Sequence, residues 1–350
     1  MKKKIISALL VMVLCIGVMP AASAGQTYRD VPDDHWAAGN ISRATELGIF
    51  KGVGDGLFGC GQVISRAAFV TALVRMFDWE TAAPGTATFT DVTPGSWYYD
   101  AVETAVKNGV IVTSSRAFRP DDALKRGEMA AMLMRALGYT SLAGTVNNYE
   151  CPFTDVTVNK GFITMAYDMG IVSGMGDGIF SPDSVATREQ AATILVRLHD
   201  RLHARMDMIP NTDGRETLSV PTPEAENGTQ LPTTPLEPIT QLYEMLRAAK
   251  ESGCDMSQLV LVLTAGGVRT ISSSSSGQIV SSNAVSAAQV RSILSRPDVR
   301  LYYSQRYESA YCVYQPNYYQ TVTVWYQSEE SLAVKLQLAK MFGVVNYILI

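Results

Sequence analysis

The chain has 350 residues, 29 of them Lys or Arg and 33 Asp or Glu, for a formal net charge of −4. An acidic balance of this kind argues against a nucleic-acid partner, whose phosphates demand a cationic surface. The length accommodates two or three domains.

The N-terminus reads as a secretion signal. Lys2, Lys3 and Lys4 precede an almost wholly apolar run, Ile5 to Met19, and Ala22-Ser23-Ala24 offers a small-x-small cleavage site. Residues 1–24 are therefore expected to be removed. Losing those three lysines leaves 26 basic against 33 acidic side chains, a net −7. The apolar run is shorter than the ~20 residues of a membrane-spanning helix. The residues around Cys15 do not fit a lipidation site, so no membrane partner is expected after cleavage.

Four further cysteines remain: Cys60, Cys151, Cys254 and Cys312. None forms a CxxC pair, and His35, His199 and His203 do not cluster with them, which speaks against a zinc site. An exported protein permits disulfides. Cys60–Cys151 with Cys254–Cys312 is the tidiest pairing. Isolated, small, buried thiols are an equal alternative.

From residue 28 onward the sequence repeats itself. Copies begin at Tyr28-Arg29-Asp30-Val31, Phe89-Thr90-Asp91-Val92 and Phe153-Thr154-Asp155-Val156, with Asp-to-Asp spacings of 61 and 64 residues. Each continues with an aromatic (Trp36, Trp97, Phe162), a helical segment ending in Gly48-Ile49, Gly109-Val110 or Gly170-Ile171, and a turn. The turn is Gly-rich in copies one (Gly52 to Gly56) and three (Gly174 to Gly178). In copy two Thr113-Ser114-Ser115-Arg116 replaces it. After the turn come Phe58, Phe118 and Phe180. An Arg-led helix then closes each copy, from Arg66, Arg126 and Arg188. Gly48 suits a left-handed helix cap, and the Gly-Asp-Gly turn needs positive φ. Thr187 to Gln190 reads as a capping box. Copy one keeps the cap residue, Ser65, and copy two keeps the acid, Glu128. Phe69, Leu73 and Phe77, and their counterparts in the other copies, fall at helical spacing. Each unit is thus two short helices around a turn. Units of ~50 residues bury little core alone, so three are expected to pack together.

The ordered triplicate resembles the S-layer homology family, over residues 26–203. The likeness rests on the aromatic-x-Asp-Val start, the Trp, the Gly-Ile, the Gly-Asp-Gly-x-Phe turn and the Arg-led helix. It implies repeats at 25–80, 86–140 and 150–203, arranged as a pseudo-threefold helical bundle. It also implies a partner: secondary cell-wall polysaccharide, often pyruvylated, held in grooves between the repeats, with peptidoglycan-associated glycans as further candidates. Carried over residue by residue, the ligand-binding set is Asp30, Trp36, Arg66, Asp91, Trp97, Arg126, Asp155 and Arg188. The chemistry agrees. Arg is a planar donor suited to carboxylates, and in the first turn of a helix it is joined by free N–H groups. Trp stacks on sugar faces. For the Asp residues, loop hydrogen bonding competes equally with ligand contact. For the Trp residues, core packing is the more ordinary role. Copy one keeps the fullest set, so Arg66 is expected to matter more than Arg126. No metal or cofactor is implied, and the Gly-Asp-Gly turns lack the alternating acids of a calcium loop.

Residues 204–237 include Pro210, Pro221, Pro223, Pro232 and Pro235 among Thr, Glu, Asn and Gly, the composition of an extended linker. Beyond it, 238–350 reads as a small α/β region. Helices are expected at 239–252, 284–294 and 328–342. Strands are expected at 258–263, 299–303, 321–325 and 344–350, with 272–276 a loop. The expected fold is therefore mainly α, with this partial, TIM-barrel-like region appended.

Val324-Trp325-Tyr326 and the helix after it resemble the last βα unit of glycoside hydrolase family 18, and Gln258 to Leu263 resembles one of its earlier strands. The departures weigh against catalysis. No Asp-x-x-Asp-x-Asp-x-Glu sequence occurs, so the general acid that the family uses has no counterpart. The region has 113 residues where a full barrel needs at least about 200, and Gly266 stands where the family usually has Tyr. An unrelated small α/β domain remains an alternative reading. Catalytic residues are accordingly expected to be none. A wall-anchored glycosidase is the competing function. No serine-hydrolase partner exists for Ser272–Ser276, since all three His precede the linker.

Overall fold

The computed structural model describes residues 28–220 and 235–350. The signal at 1–24 and much of the linker lie outside the described residues.

Seven helices make up the repeats: α1 (Ala38–Glu46), α2 (Arg66–Phe77), α3 (Tyr99–Lys107), α4 (Arg126–Ala136), α5 (Thr140–Val146), α6 (Lys160–Asp168) and α7 (Arg188–His203). The Arg-led helices begin at the expected residues. Ser65 Oγ accepts from Ala68 N at 3.2 Å, and Gln190 Oε1 accepts from Thr187 N at 3.2 Å. The Gly54-Asp55-Gly56 turn is left-handed at all three residues, with φ of 110°, 50° and 69°. This explains why Gly flanks Asp there: each Gly reaches such φ without the Cβ penalty.

A closed ring of backbone hydrogen bonds ties the copies together. Ile64 N donates to Ala186 O at 3.0 Å, Ala186 N to Leu124 O at 2.9 Å, and Leu124 N to Ile64 O at 2.9 Å. Each ring residue immediately precedes the cap and Arg of its copy, and all three are buried. The ring defines a pseudo-threefold axis. The helix starts radiate from it, each docked on the preceding segment of another copy: Arg66 N to Asp122 O, Arg126 N to Ser184 O and Arg188 N to Gln62 O, at 2.9–3.0 Å.

The expectation of a mainly α fold is corrected. Helix is 35% and strand 19%, in two sheets, so the chain is mixed α/β. Short strands β1 (Asp207–Met208) and β2 (Thr217–Ser219) follow α7, then come α8 (Ile239–Glu251), β3 (Val260–Leu263), β4 (Gly267–Ser273), β5 (Ile279–Val285) and α9 (Ala287–Leu294). The chain continues with β6 (Arg300–Ser304), β7 (Ser309–Asn317), β8 (Gln320–Tyr326), α10 (Glu329–Phe342) and β9 (Asn346–Leu349). A parallel sheet is ordered β1-β9-β3-β2, and an antiparallel one β5-β4-β8-β7-β6. Two physical features keep these strands from showing in the sequence. Alternation is weak in the Ser-rich β4–β5 hairpin, so its turn shows in the sequence and its arms do not. Strands β1 and β2 sit in Pro-containing sequence and are held only by partners far along the chain, Asn346 and Val260. The antiparallel sheet also departs from a run of barrel strands.

The C-terminal region does not stand apart. One continuous core includes Leu195 and Met169 from the repeats and Leu242, Leu246, Leu338 and Phe342 from α8 and α10. Gln337 Nε2 donates to Leu137 O at 3.0 Å and Lys340 Nζ to Leu202 O at 2.7 Å. Among the described residues no helix is long and apolar enough to cross a membrane. All four described cysteines are free thiols, so neither expected disulfide is formed. Burial pushes the Cys312 thiol up to about 11.

Candidate functional site

The Asp and Arg residues singled out by the repeat meet at three junctions. Each junction is built across copies.

At the first, Asp30 accepts from the N–H groups of Phe58 (2.8 Å), Gly59 (2.7 Å) and Cys60 (2.9 Å). Burial raises the carboxyl, but the N–H groups of Phe58, Cys60 and Gly59 outweigh it, holding Asp30 below the usual carboxylate range. On the other side of Phe58, its carbonyl accepts from Arg188 Nε at 3.0 Å. Arg188 Nη2 donates to Lys51 O at 3.1 Å, and the guanidinium lies over the Phe58 ring, 5.1 Å from its centroid. Gly59 has φ of +84°, and a Cβ there would come within 3.1 Å of Arg188 Cδ. Glycine is what lets the arginine lie against the turn.

The second junction repeats the plan. Asp91 accepts from Phe118 N (2.8 Å) and Arg119 N (2.7 Å), and Phe118 O accepts from Arg66 Nε (2.9 Å). Here the guanidinium is consumed. Arg66 Nη1 binds Glu128 Oε1 at 2.7 Å, and Arg66 is only 8% exposed. At the third, Asp155 accepts from Phe180 N (2.9 Å) and Ser181 N (2.7 Å), while Arg126 donates to Phe180 O (3.1 Å) and Ser173 O (2.8 Å). Nη1 of Arg126 and of Arg188 has no hydrogen-bond partner among the described residues.

Each arginine therefore serves the next copy's aspartate, and the last serves the first. Asp30 belongs with Arg188, Asp91 with Arg66, and Asp155 with Arg126. The closed ring explains why each arginine serves another copy, because each Arg-led helix starts against a neighbour. Trp36 is 61% exposed and Trp97 64%. Core packing, the ordinary role of Trp, does not apply to either. Phe162, in the corresponding place of the third copy, is half-buried under Arg135, 4.6 Å from its ring centroid. Glu128 and the phenylalanine carbonyls were not legible as junction members. Glu128 read only as a helix-start acid, and a backbone acceptor leaves no trace in sequence.

The S-layer homology domain family matches this chain at residues 27–70, 88–130 and 152–192. Among curated relatives, the S-layer protein sap of Bacillus anthracis is 28% identical over 197 residues, covering 56% of this chain and 24% of that protein. A cellulosome-anchoring protein of Acetivibrio thermocellus is 35% identical over 137 residues, 38% of this chain and 30% of that protein. The chain thus spans less than a third of these relatives. Among solved structures, the spore cortex-lytic enzyme SleL of Bacillus cereus overlays with a TM-score of 0.31 at 19% identity, covering 38% of this chain and 36% of that one. A family GH18 chitinase of Cycas revoluta overlays with a TM-score of 0.26 at 22% identity, covering 30% and 32%. Overlays this partial carry no functional argument.

Proposed function

We propose that this chain, a cell-surface protein carrying three S-layer homology domains, is held to the wall by anionic secondary cell-wall polysaccharide bound at the Asp–Phe–Arg junctions. Pyruvylated units of that polymer are the favoured ligand. The exposure of Trp36 and Trp97, in the two copies that supply Asp30 and Asp91, carries the reading. A Trp left in water at 61% or 64% exposure forgoes the burial that normally stabilises it, and a sugar ring offers the face it lacks. The Asp residues, engaged by backbone N–H groups, shape the turns rather than meet the ligand. The arginines supply the positive charge. Arg188 is better placed for this than Arg66, whose charge Glu128 already satisfies, and this reverses the emphasis placed on copy one's own arginine. Peptidoglycan-associated glycans are the secondary partner.

The C-terminal region is a non-catalytic module on this reading, since the sequence holds no counterpart of the family 18 acid motif. The test uses the full chain: sedimentation with native wall sacculi and with sacculi stripped of secondary polymer. Binding to native sacculi alone supports the proposal, and equal binding to both contradicts it. Turnover of chitin or peptidoglycan by the purified chain would favour the glycosidase reading instead.

A further inference from the structure

The last two turns of α7 carry a pair of side chains that the repeat junctions do not use. His199 and His203 stand four residues apart, on one face of the helix. Their rings are stacked, with 4.0 Å between centroids and 24° between planes. The His199 side chain is 15% exposed, and His203 lies in solvent. The pair is past the S-layer homology match that ends at residue 192, and it touches none of the three junctions.

Each ring has one nitrogen engaged. Nδ1 of His203 donates to the carbonyl of His199 at 2.8 Å, and Nδ1 of His199 donates to Asp200 Oδ1 at 3.1 Å. A carbonyl and an ionised carboxylate only accept, so both Nδ1 atoms carry the proton. In the neutral rings the lone pair then lies on Nε2, and neither Nε2 has a hydrogen-bond partner among the described residues. A metal-ligating histidine is held in this way, its other nitrogen donating to a carboxylate or a backbone carbonyl. Asp200 is itself steadied by Arg43, at 3.7 Å.

We propose that His199 and His203 chelate a divalent transition-metal ion of the zinc class through their two Nε2 atoms, a small rotation of each ring bringing the lone pairs together. Spacing of i and i+4 is how a helix presents two imidazoles to one ion. Among the described residues no three His, Cys, Asp or Glu side chains gather as a metal site, so water completes the shell. Imidazole favours zinc, nickel or copper, whereas magnesium and calcium favour oxygen. Asp200 directly follows His199, but its bonds to His199 and Arg43 make it a positioning residue and not a base for activating water. The role of the ion is structural. It pins the end of α7, four residues before β1 begins at Asp207, and so stiffens the passage from the repeats into the C-terminal sheet.

The test is calorimetric titration of the metal-free full chain with zinc chloride and, in parallel, magnesium chloride, alongside thermal unfolding. Zinc should bind, and magnesium should bind at least about a hundredfold more weakly. Zinc should also raise the unfolding temperature, because only the folded helix holds the two rings together. His203→Gln, at an exposed side chain, should keep its helix content by circular dichroism and lose at least about tenfold in zinc affinity. Cys60 Sγ lies 3.5 Å from His35 Nε2 and is the competing pair of soft donors; Cys60→Ser should leave zinc affinity unchanged. No zinc binding below about 1 mM, equal binding of magnesium, or unaltered affinity in the folded His203→Gln protein would each overturn the assignment. Loss of zinc in Cys60→Ser would overturn it too, placing the ion at the first repeat.

Discussion

Arg188 Nε donates to the carbonyl of Phe58 at 3.0 Å, across 130 residues of sequence. This contact closes the ring of repeats. It makes the last arginine part of the first copy's turn, so a change in copy three should be felt in copy one.

Arginine substitutions should separate stability from binding. Arg66→Ala removes a buried guanidinium and strands Glu128 and the Phe118 carbonyl. It should cost about 2–4 kcal/mol, read by denaturant unfolding. Arg188→Ala removes bonds only to carbonyls and should cost less, about 1–2 kcal/mol, yet it should lower wall binding more than Arg126→Ala, whose junction has no Trp. Greater binding loss in a folded Arg126→Ala protein would contradict the leading role given to Arg188.

Gly59→Ala should be more costly than Gly61→Ala. Both residues have positive φ, 84° and 77°, but only at Gly59 would the new Cβ press on Arg188. Strain of about 1 kcal/mol is expected at Gly61, and about 2 kcal/mol at Gly59 once the arginine is displaced. Thermal unfolding of the two variants checks the order, and equal midpoints would count against the contact.

Acid should loosen the repeats through their aspartates. Asp30 and Asp91 are raised by burial but lowered further by backbone N–H groups, and for Asp155 the Phe180 N–H dominates; all three lie below 3.8 when folded. A depressed folded pKa means stability that is present above the unfolded value and lost as pH falls through the folded one. Unfolding free energy should therefore decline below about pH 4. In Asp30→Asn the decline should be shallower, from a lower starting value at pH 7. An unchanged acid slope in that variant would contradict the assignment.

A buried pair in the C-terminal region gives an independent check. Lys335 and Glu237 are 3% and 4% exposed, with Nζ 3.5 Å from the carboxylate. Glu237 also accepts from Thr264 N at 2.6 Å, and Lys335 donates to Gln327 Oε1 at 2.6 Å. Lys335→Met alone leaves a buried carboxylate unpaired and should cost about 3–5 kcal/mol. Lys335→Met with Glu237→Gln should recover most of that loss. A double variant no more stable than the single would mean the two charges do not interact.

Much of this architecture was legible in sequence. Phe69, Leu73, Met129 and Leu133 are buried where helical spacing put them, and Arg66, Arg126 and Arg188 each open a helix. Periodicity reports such features because they are local. The exchange of arginines between copies was hidden, since Phe58 and Arg188 are linked through a backbone carbonyl that any residue supplies. The exposure of Trp36 was hidden too, because a Trp beside a helix start usually packs inward. Strands β1 and β2 escaped for a related reason: Thr217 and Asp207 carry no strand pattern, and their pairing with Val260 and Asn346 exists only in the assembled sheet.

The wall-anchoring proposal is tested most directly by sedimenting Trp36→Ala/Trp97→Ala and the unaltered chain with sacculi that retain their secondary polymer. Because both rings are largely in solvent, the double variant should unfold at the unaltered temperature while its bound fraction falls at least about tenfold. A folded double variant that sediments as fully as the unaltered chain would contradict binding at the repeat junctions.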